Sequence, residues 1–277
     1  MRLDAHQHFW KYDAAQYPWI PVGSPLHADR LPQDLAPELD TAQLDASIAV
    51  QARQTLEESR WLLELADASP RIAGVVGWVD LRAPDVAGQL AKFAPHPKFV
   101  GVRHVVQDEP DDNFMLQPDF LRGIAALQEF DLAYDILIYP RQLPAAIELV
   151  RRFPDQRFVL DHIAKPPVKA GEISPWREQI RELAQAPNLV CKVSGIVTEA
   201  DHQSWQPADI RPYFDVVFEA FSPDRLMFGS DWPVCLLAGS YEQVYRLVDE
   251  YIGVLSSTQR EAILGKTAAR FYQVDAD

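Results

Sequence analysis

The sequence predicts an α/β protein, a single (β/α)8 barrel of the TIM type over residues 1–277. Its length of 277 residues is typical of one such barrel. Short apolar, β-branched runs alternate with segments of helical periodicity along the chain, which indicates repeated βαβ units. No glycine-rich phosphate loop follows a predicted strand, so an open nucleotide-binding sheet lacks its main signature. No change in composition marks a second domain.

The first half of the chain contains four predicted strands. Residues 2–8 alternate with the period of two that a strand requires. The loop that follows is rich in aromatic side chains and forms either a lid or a plug at one end of the barrel; it contains Phe9, Trp10, Tyr12, Tyr17 and Trp19. Beyond it, β-rich runs and amphipathic segments alternate as strand 45–53, helix 56–68, strand 72–81, helix 85–94 and strand 99–107.

The second half of the chain supplies the other four strands. It begins with an exposed acidic loop at 108–113, where charged and turn-forming residues replace the apolar pattern. Each later strand is a short apolar run preceded by a segment with apolar residues every three to four positions. We predict helix 118–130, strand 132–139, helix 143–153, strand 157–163, helix 175–186, strand 189–196, helix 210–221, strand 226–231, and helices 241–255 and 257–271.

Composition excludes several classes of protein. Hydrophobic residues at 48% and charged residues at 24% are ordinary for a globular domain. A net charge of -14 without a basic cluster argues against a nucleic-acid partner. No apolar run has membrane-spanning length and the chain opens on a charged strand, so we expect a cytoplasmic protein with no membrane partner. Cys191 and Cys235 are expected to be buried thiols, and no feature of the sequence specifies an oligomeric state.

Two histidines, His6 and His8, lie close to the start of the sequence. In a strand over 2–8, the period of two places His6 and His8 on one face together with Asp4. Imidazole binds zinc and similar divalent ions, but a metal site needs three or four ligands, so other strands must complete it. Asp4 is expected to be a hydrogen-bond partner of the histidines, not a ligand.

Two later strands end in side chains of the required kind. In these barrels the chemistry lies at the carboxyl ends of the strands. The strand at 157–163 brings His162 to that edge, and the strand at 226–231 ends at Asp231. Together with His6 and His8 they make three imidazoles and one carboxylate, which could equally be a metal site or an acid–base cluster.

Strand parity predicts cations inside the barrel. If Val100 and Val102 face the helices, Arg103 faces the interior, and the apolar row at Leu189, Cys191 and Val193 turns Lys192 inward. A buried charge without a partner is too costly to be accidental, so these residues indicate a polar pocket.

Weaker candidates come from the second, third and fourth strands. With Ile48, Val50 and Ala52 outside, Gln51 and Arg53 would face inward. Trp78 is suited either to the core or to a ligand surface, and His104 lies on the outward parity unless its strand has already ended. The carboxylates of Glu57, Glu58 and Glu64 have the pattern of a solvated helix face.

Five segments of the chain, taken in order, belong together: DAHQHFW at 4–10, GVRH at 101–104, LDHIAKP at 160–166, CKVSG at 191–195 and MFGSDWP at 227–233. They resemble the lactonase branch of the amidohydrolase superfamily, in particular sugar-acid lactonases of the L-fuconolactonase and L-rhamnonolactonase type. The resemblance extends from the first strand to the eighth. It implies a (β/α)8 barrel that hydrolyses a cyclic ester.

The resemblance also implies roles for individual residues. Asp231 matches the carboxylate after strand 8 that acts as general base toward water. His6 and His8 match the strand 1 pair, and His162 matches the histidine of a later strand. The bridging lysine or glutamate and the additional histidine of many metal-dependent members have no counterpart, so a binuclear centre is not expected. Two alternatives stay open: one divalent ion such as zinc bound by His6, His8, His162 and Asp231, or no metal.

These roles lead to a hypothesis for catalysis. Asp231 would take a proton from water and pass it to the leaving ring oxygen. His6, His8 and His162, with Arg103 or Lys192, would stabilise the oxyanion either directly or through one bound divalent ion. The hydroxyls of a sugar lactone would find partners among substrate-binding candidates on several strands, which are Gln51, Trp78, His104, Trp10 and Lys192.

Three other functions compete with a sugar lactonase. A dicarboxylate lactone of the pyrone or muconolactone kind would need several arginines for its carboxylates, and few inward cations are predicted. A metal-dependent decarboxylase of the same superfamily would use the same histidines and aspartate. A non-catalytic barrel that binds sugar acids would keep the cavity without turning a substrate over.

Overall fold

Eight parallel strands, hydrogen-bonded in chain order, form the wall of the barrel in the computed structural model, which describes residues 1–274. The predicted (β/α)8 barrel is thus confirmed. Its strands are β1 Leu3–Gln7, β2 Ala46–Val50, β3 Ile72–Gly77, β4 Phe99–His104, β5 Ala133–Ile136, β6 Phe158–Leu160, β7 Leu189–Val193 and β8 Leu226–Phe228. The barrel closes where Gln7 pairs in parallel with Trp232, just beyond the end of β8.

Helices cover the outside of the barrel, and the described residues contain ten where the sequence predicts eight. One helix before β2 is additional, and the predicted helix 257–271 is two helices separated by an irregular segment at Ala262–Lys266. The ten helices are α1 Pro32–Thr41, α2 Leu56–Ala68, α3 Val86–Phe93, α4 Pro118–Glu129, α5 Leu143–Arg152, α6 Trp176–Leu183, α7 Pro207–Phe221, α8 Tyr241–Ile252, α9 Ser257–Glu261 and α10 Thr267–Tyr272. The sequence analysis did not predict α1, because its two prolines, Pro32 and Pro37, argue against a helix. Pro32 occupies the first helical position, where a missing N–H costs nothing.

Two apolar cores lie on the two sides of the strands. The larger packs the outer faces of the strands against the helices, and its members include Leu62, Leu127 and Val217. The smaller fills the barrel interior with residues from all eight strands and is completed by α10, whose Phe271 and Tyr272 belong to it. Because α10 reaches this interior cluster, the end of the described chain seals one end of the barrel and leaves the opposite end for the site.

The side-chain directions predicted for β2 and β4, inward or outward, are partly wrong. Ile48, Val50 and Val100 belong to the interior cluster, not to the outer layer. In β4, Val100 has no partner in the register with β3, so the strand contains one inserted residue there. This bulge reverses the inward–outward alternation of the side chains, so that Val102 faces outward and Arg103 inward. β2 ends at Val50, so Gln51 lies outside the strand and the alternation of the strand does not fix its direction.

The aromatic loop after β1 forms part of the wall of the cavity described below. We call residues 9–30 the N-terminal flap. Trp10 pairs with Arg30 by backbone hydrogen bonds of 2.9 and 2.8 Å, which close the flap into a loop. Its apolar side chains pack against Ala52, Val234 and Leu237 at the carboxyl ends of β2 and β8. The flap therefore lies beside the site at the end of the barrel opposite α10.

Within residues 1–274, none of the helices combines the length and apolar character needed to cross a bilayer.

Candidate active site

Three imidazoles and one carboxylate meet at the carboxyl ends of the strands. His6 Nε2 lies 3.2 Å from His8 Nε2. Asp231 Oδ1 lies 3.4 Å from His8 Nε2 and 3.8 Å from the Nε2 atoms of both His6 and His162. All four side chains are buried. The structure thus brings together the four residues that sequence reasoning selected from strands 1, 6 and 8.

Closure of the barrel places Asp231 against the histidine pair. The backbone N–H of Asp231 donates to the His6 carbonyl at 2.8 Å, and the N–H of His8 donates to the Trp232 carbonyl at 2.7 Å. Asp231 has a φ of 58°, in the left-handed region that aspartate tolerates better than most residues. These two hydrogen bonds take the place of a β1–β8 ladder at the site.

His162 is held by an unusual turn. Residues 162–165 are four consecutive non-glycine residues in the left-handed region, with φ values of 53°, 48°, 59° and 47°. Each costs about 1–2 kcal/mol, so the surrounding structure must impose the turn. The indole of Trp176 donates to the Ile163 carbonyl at 2.9 Å. Gly195 leaves room for the ring, since a Cβ there would lie 2.4 Å from His162 Nδ1.

Each imidazole has a second polar partner on its other nitrogen. His8 Nδ1 lies 2.8 Å from the Val50 carbonyl, and His162 Nδ1 lies 2.8 Å from Ser194 Oγ. His6 Nδ1 lies 3.4 Å from Asp161 Oδ1. With the proton on Nδ1, the rings of His8 and His162 donate to their partners and present the lone pair of Nε2 toward Asp231.

The donor set fits one divalent metal ion. His6, His8 and Asp231 offer ligand atoms that all lie within 4.8 Å of one another. In a tetrahedral zinc site with bonds of about 2.0–2.1 Å, ligand atoms are about 3.4 Å apart, close to the spacings found here. His162 flanks this set through Asp231, and an overlapping set joins His6 to Asp161 and His162. Neutral imidazole and carboxylate are the ligands that zinc accepts, so these residues are suited to hold it.

Burial and neighbouring charges separate the protonation states of the site. Burial lowers the pKa of His6 and of His162 well below the usual value for histidine, which keeps both rings neutral. Burial raises the pKa of the Asp231 carboxyl, but His162, His8 and Lys165 together lower it more, so the net pKa lies below its usual range. An ionised carboxylate beside neutral imidazoles suits either metal binding or proton abstraction.

Arg103 reaches the site from β4 as its inward parity predicts. Its Nη1 donates to Asp161 Oδ2 at 3.1 Å and lies 3.3 Å from His6 Nε2. Its Nη2 donates to the Gln51 carbonyl, and its Nε is buried with no hydrogen-bond partner within residues 1–274. Arg103 lines the cavity, so its guanidinium is available to an anionic oxygen there.

Lys192 lies beneath the site and does not line the cavity. Its Nζ is 2.5 Å from Asp135 Oδ2, 3.1 Å from Asp161 Oδ1 and 3.2 Å from His6 Nδ1, and the lysine is fully buried. Tyr272 donates to the same Asp135 oxygen at 2.7 Å. Lys192 is therefore the internal counter-ion of two buried carboxylates, and it also contacts His6.

The cavity above these residues has a volume of about 890 Å³. His8, His162 and Asp231 form part of its wall, together with Arg103. The rest of the wall comes from the flap and from the loops after β2, β4, β5, β6, β7 and β8: Ala15, Gln16, Trp19, Ala52, Arg53, Gln54, Thr55, Val105, Gln107, Asp108, Glu109, Leu137, Lys165, Thr198, Glu199, His202, Val234 and Leu237. A mixed apolar and polar wall of this size is typical of small-molecule sites.

The proposed substrate-binding residues lie around the cavity but not on its wall. The Gln51 amide donates to the Arg103 carbonyl at 3.3 Å, and the whole side chain is buried. The Trp78 indole faces His104 Nδ1 at 3.4 Å, while His104 Nε2 pairs with Glu109 at 2.7 Å. These three side chains therefore support the loops that form the wall.

Trp10 is also placed differently from the expectation. Its indole is wholly buried in the flap and donates to the Ala28 carbonyl at 2.9 Å. The aromatic ring that lines the cavity is Trp19, whose side chain is 44% exposed. A run of aromatic residues in a loop carries no periodicity, so sequence reasoning could not tell which ring faces a ligand.

The polar residues of the site that sequence reasoning missed include Asp161, Lys165, Glu199 and Glu58. Asp161 precedes His162 and bonds Arg103 and Lys192, and its position beside a selected histidine was an available signal. Lys165 and Glu199 form an ion pair of 3.6 Å at the cavity wall.

The fourth residue, Glu58, is wholly buried, which corrects its assignment to a solvated helix face. Its Oε2 accepts hydrogen bonds from the backbone N–H groups of Ala52 at 3.0 Å and Arg53 at 2.6 Å. The helical pattern missed it, because Glu58 lies in the first turn of α2, where its side chain turns back toward the preceding loop.

We expect Glu58→Gln to remove a pH dependence from the free energy of unfolding. Burial raises the pKa of Glu58 from 4.5 to about 7, against the lowering effects of Arg53, Ala52 and Arg103. The unfolded chain then ionises at lower pH than the folded protein, so raising the pH from 5 to 8 destabilises the wild type relative to the variant by about 2–3 kcal/mol. Urea denaturation at both pH values measures this difference.

The matched control is Glu57→Gln on the same turn, where the side chain is exposed. Glu57→Gln should change the free energy of unfolding by the same amount at pH 5 and at pH 8. A wild-type and Glu58→Gln pair with parallel pH dependence would contradict the raised pKa.

Comparison with known proteins finds a family and several full-length relatives. The chain matches the amidohydrolase family over residues 3–274. It is 47% identical to an L-fucono-1,5-lactonase of Burkholderia multivorans, over 98% of this chain and 96% of that protein. An L-fucono-1,5-lactonase of Burkholderia ambifaria is 38% identical over 99% of this chain and 96% of the relative. The crystal structure of a zinc-bound amidohydrolase from B. multivorans aligns at a TM-score of 0.95 and 47% identity, covering 99% of this chain and 100% of that one.

Proposed function

Because the chain belongs to the amidohydrolase family, we propose that it hydrolyses a sugar-acid lactone, such as L-fucono-1,5-lactone, to the aldonic acid. The structural observation that supports this proposal most is the Asp231 carboxylate beside three imidazoles, with His8, His162 and Arg103 lining the same cavity as Asp231. Hydrolysis of a cyclic ester needs a base for water and positive or hydrogen-bonding groups for the oxyanion. Both kinds of group are present within one site.

The proposed reaction begins with water between Asp231 and the lactone carbonyl. Asp231 takes a proton from the water as the water oxygen bonds to the carbonyl carbon of the lactone. The ring C–O bond then breaks, and the proton passes from Asp231 to the departing ring oxygen, which becomes a hydroxyl. The low pKa of Asp231 keeps it ionised at neutral pH, as this role requires.

His162 and Arg103 are the residues that we propose to polarise the carbonyl. Both line the cavity, and Arg103 brings a permanent positive charge to it. A zinc ion held by His6, His8 and Asp231 would add Lewis-acid polarisation of an oxygen bound at the site. Lys192 and Asp161 keep His6 in place from below.

A screen of aldonolactones with a pH indicator tests the function. We expect acid release from a 6-deoxy sugar lactone, because the cavity combines polar groups with an apolar side formed by Ala52, Val234 and Leu237. The same assay after treatment with a chelator, and after addition of zinc, measures whether the donor set works with a metal. Absence of acid release from every aldonolactone, with and without zinc, would overturn the proposal.

We further propose a cytoplasmic location. It is supported by Cys191 and Cys235, which are both buried free thiols, as a reducing compartment permits.

A further inference from the structure

The N-terminal flap and the loop after β2 together form one side of the cavity. The flap contributes Gln16 and Trp19, and the loop contributes Arg53 and Gln54. These two segments are distant in sequence, and only their contacts with each other make them a continuous surface. We call this surface, with residues Gln16, Trp19, Arg53 and Gln54, the flap wall.

Glu58 fastens the two segments. Its Oε2 accepts the N–H groups of Ala52 and Arg53 at 3.0 and 2.6 Å, which fixes the backbone of the loop. Its Oε1 accepts the hydroxyl of Tyr17 from the flap at 3.4 Å. A buried carboxylate that holds three donors from two segments restricts both of them.

Arg53 is the polar group that this arrangement presents to the cavity. Its Nη1 donates to Gln16 Oε1, and its guanidinium lies 5.2 Å from the ring centre of Tyr17. Its Nε is buried and lies 3.8 Å from Glu58 Oε1, too far for a hydrogen bond, so this N–H is not the group that meets a ligand. The Arg53 side chain is nevertheless 21% exposed and lines the cavity, so this cation is suited to bind a ligand oxygen there.

Elsewhere on the cavity wall, two charged side chains pair with each other. Lys165 and Glu199 pair with each other at 3.6 Å, and Lys165 Nζ lies 5.4 Å from the ring centre of Tyr139. The flap wall also carries an aromatic surface, because Trp19 stands perpendicular to Trp10 with ring centres 5.6 Å apart and is 44% exposed. A sugar ring presents hydroxyls and apolar C–H faces, and the flap wall offers a partner to each.

We propose that the flap wall is the subsite for the sugar hydroxyls remote from the reacting carbonyl, that Arg53 is its main hydrogen-bonding residue, and that Glu58 is a positioning residue that holds Arg53 there. This inference rests on the proposed lactonase function. A lactone whose carbonyl lies at Asp231 directs its remaining hydroxyls into the rest of the cavity, which Arg53 and Gln16 line. The contacts made there are the same in substrate and transition state, so they contribute to KM and not to kcat.

Steady-state kinetics on L-fucono-1,5-lactone at pH 8 test the proposal. Arg53→Gln should raise KM about 10-fold or more, since a hydrogen bond from a charged group is lost, with kcat within about threefold of wild type. Glu58→Gln should raise KM in the same way by releasing Arg53. It should still fold, because a buried amide is less costly than a buried carboxylate.

A double variant separates positioning from a general structural effect. If Glu58 acts through Arg53, Arg53→Gln combined with Glu58→Gln should have the KM of Arg53→Gln alone. The matched control is Glu57→Gln, an exposed carboxylate on the same turn, which should retain wild-type KM and kcat.

The possible results distinguish this inference from the function on which it rests. A wild-type protein that releases no acid from any aldonolactone would overturn both. A wild type that is active while Arg53→Gln and Glu58→Gln keep its KM would overturn the inference alone. The same holds if the two variants lose kcat at unchanged KM, because Arg53 would then act in the chemical step.

Discussion

Asp231→Asn is expected to lower kcat on the sugar lactone by about 100- to 10,000-fold, the usual loss when a general acid–base group is removed. The amide has nearly the shape of the carboxylate but cannot accept the proton of water. It also tolerates the left-handed backbone of this position, where φ is 58°. The fold should therefore persist, and the loss should lie in the chemical step. Steady-state kinetics with circular dichroism on the same samples measure both.

Asp131→Asn is the matched control for this substitution. Asp131 also has a left-handed backbone, with φ of 52°, but its side chain is 71% exposed and pairs with Arg157 away from the cavity. It should retain wild-type kcat. Because Asp231 is also a candidate metal ligand, zinc content is measured for each variant and the assay is repeated with added zinc. Activity of Asp231→Asn within tenfold of wild type would rule out Asp231 as the base.

Lys192→Met is expected to produce the largest loss of stability, about 3–5 kcal/mol. The substitution keeps the length of the side chain and removes the cation that faces Asp135 and Asp161. Both carboxylates are fully buried, so neither can recover its hydration. For a protein of this size, the loss corresponds to a melting temperature lower by roughly 10 °C. Thermal and urea denaturation measure it.

Two further variants test the reason for this loss. Lys169→Met removes a lysine that is 70% exposed and pairs with Asp201 at 3.2 Å, and it should cost less than about 1 kcal/mol. Adding Asp135→Asn to Lys192→Met should restore part of the stability, because one of the unpaired charges is then removed. Equal losses in the Lys192 and Lys169 variants would show that the buried pair contributes no more than a surface pair.

The position of Lys192 favours a positioning role over direct catalysis. Lys192 does not line the cavity, but it lies 3.2 Å from His6 Nδ1. The sequence-based prediction placed it among the groups that stabilise the oxyanion. The structure instead supports an indirect role through the orientation of His6. That distinction depends on depth within the barrel, which strand parity does not report.

The fold and the central cluster were predictable because their signals are local. The alternation of apolar runs with helical segments reports the βαβ unit, and eight repeats of it leave few architectures other than a closed barrel. His6 and His8 are related by the period of a strand, and His162 and Asp231 lie at strand ends, which share one edge in a parallel barrel. Knowing that edge is sufficient to bring all four together.

Other features depended on where each strand stops and on what lies beside it. β2 ends at Val50 and β3 at Gly77, so Gln51 and Trp78 stand in loops where parity no longer assigns a side. Glu58 has the sequence pattern of an exposed helical carboxylate, yet the loop of Ala52 and Arg53 folds over it.

By itself, then, the sequence determined the barrel and the identity of the residues at its carboxyl edge, because both follow from periods within one strand or one helix. The tertiary structure alone decided that Lys192 lies under the site, that Trp19 and not Trp10 lines the cavity, and that Glu58 joins the flap to the loop. The physical reason is that burial and ion pairing are properties of side chains far apart in the chain. They come into existence only when the strands close and the loops pack against one another.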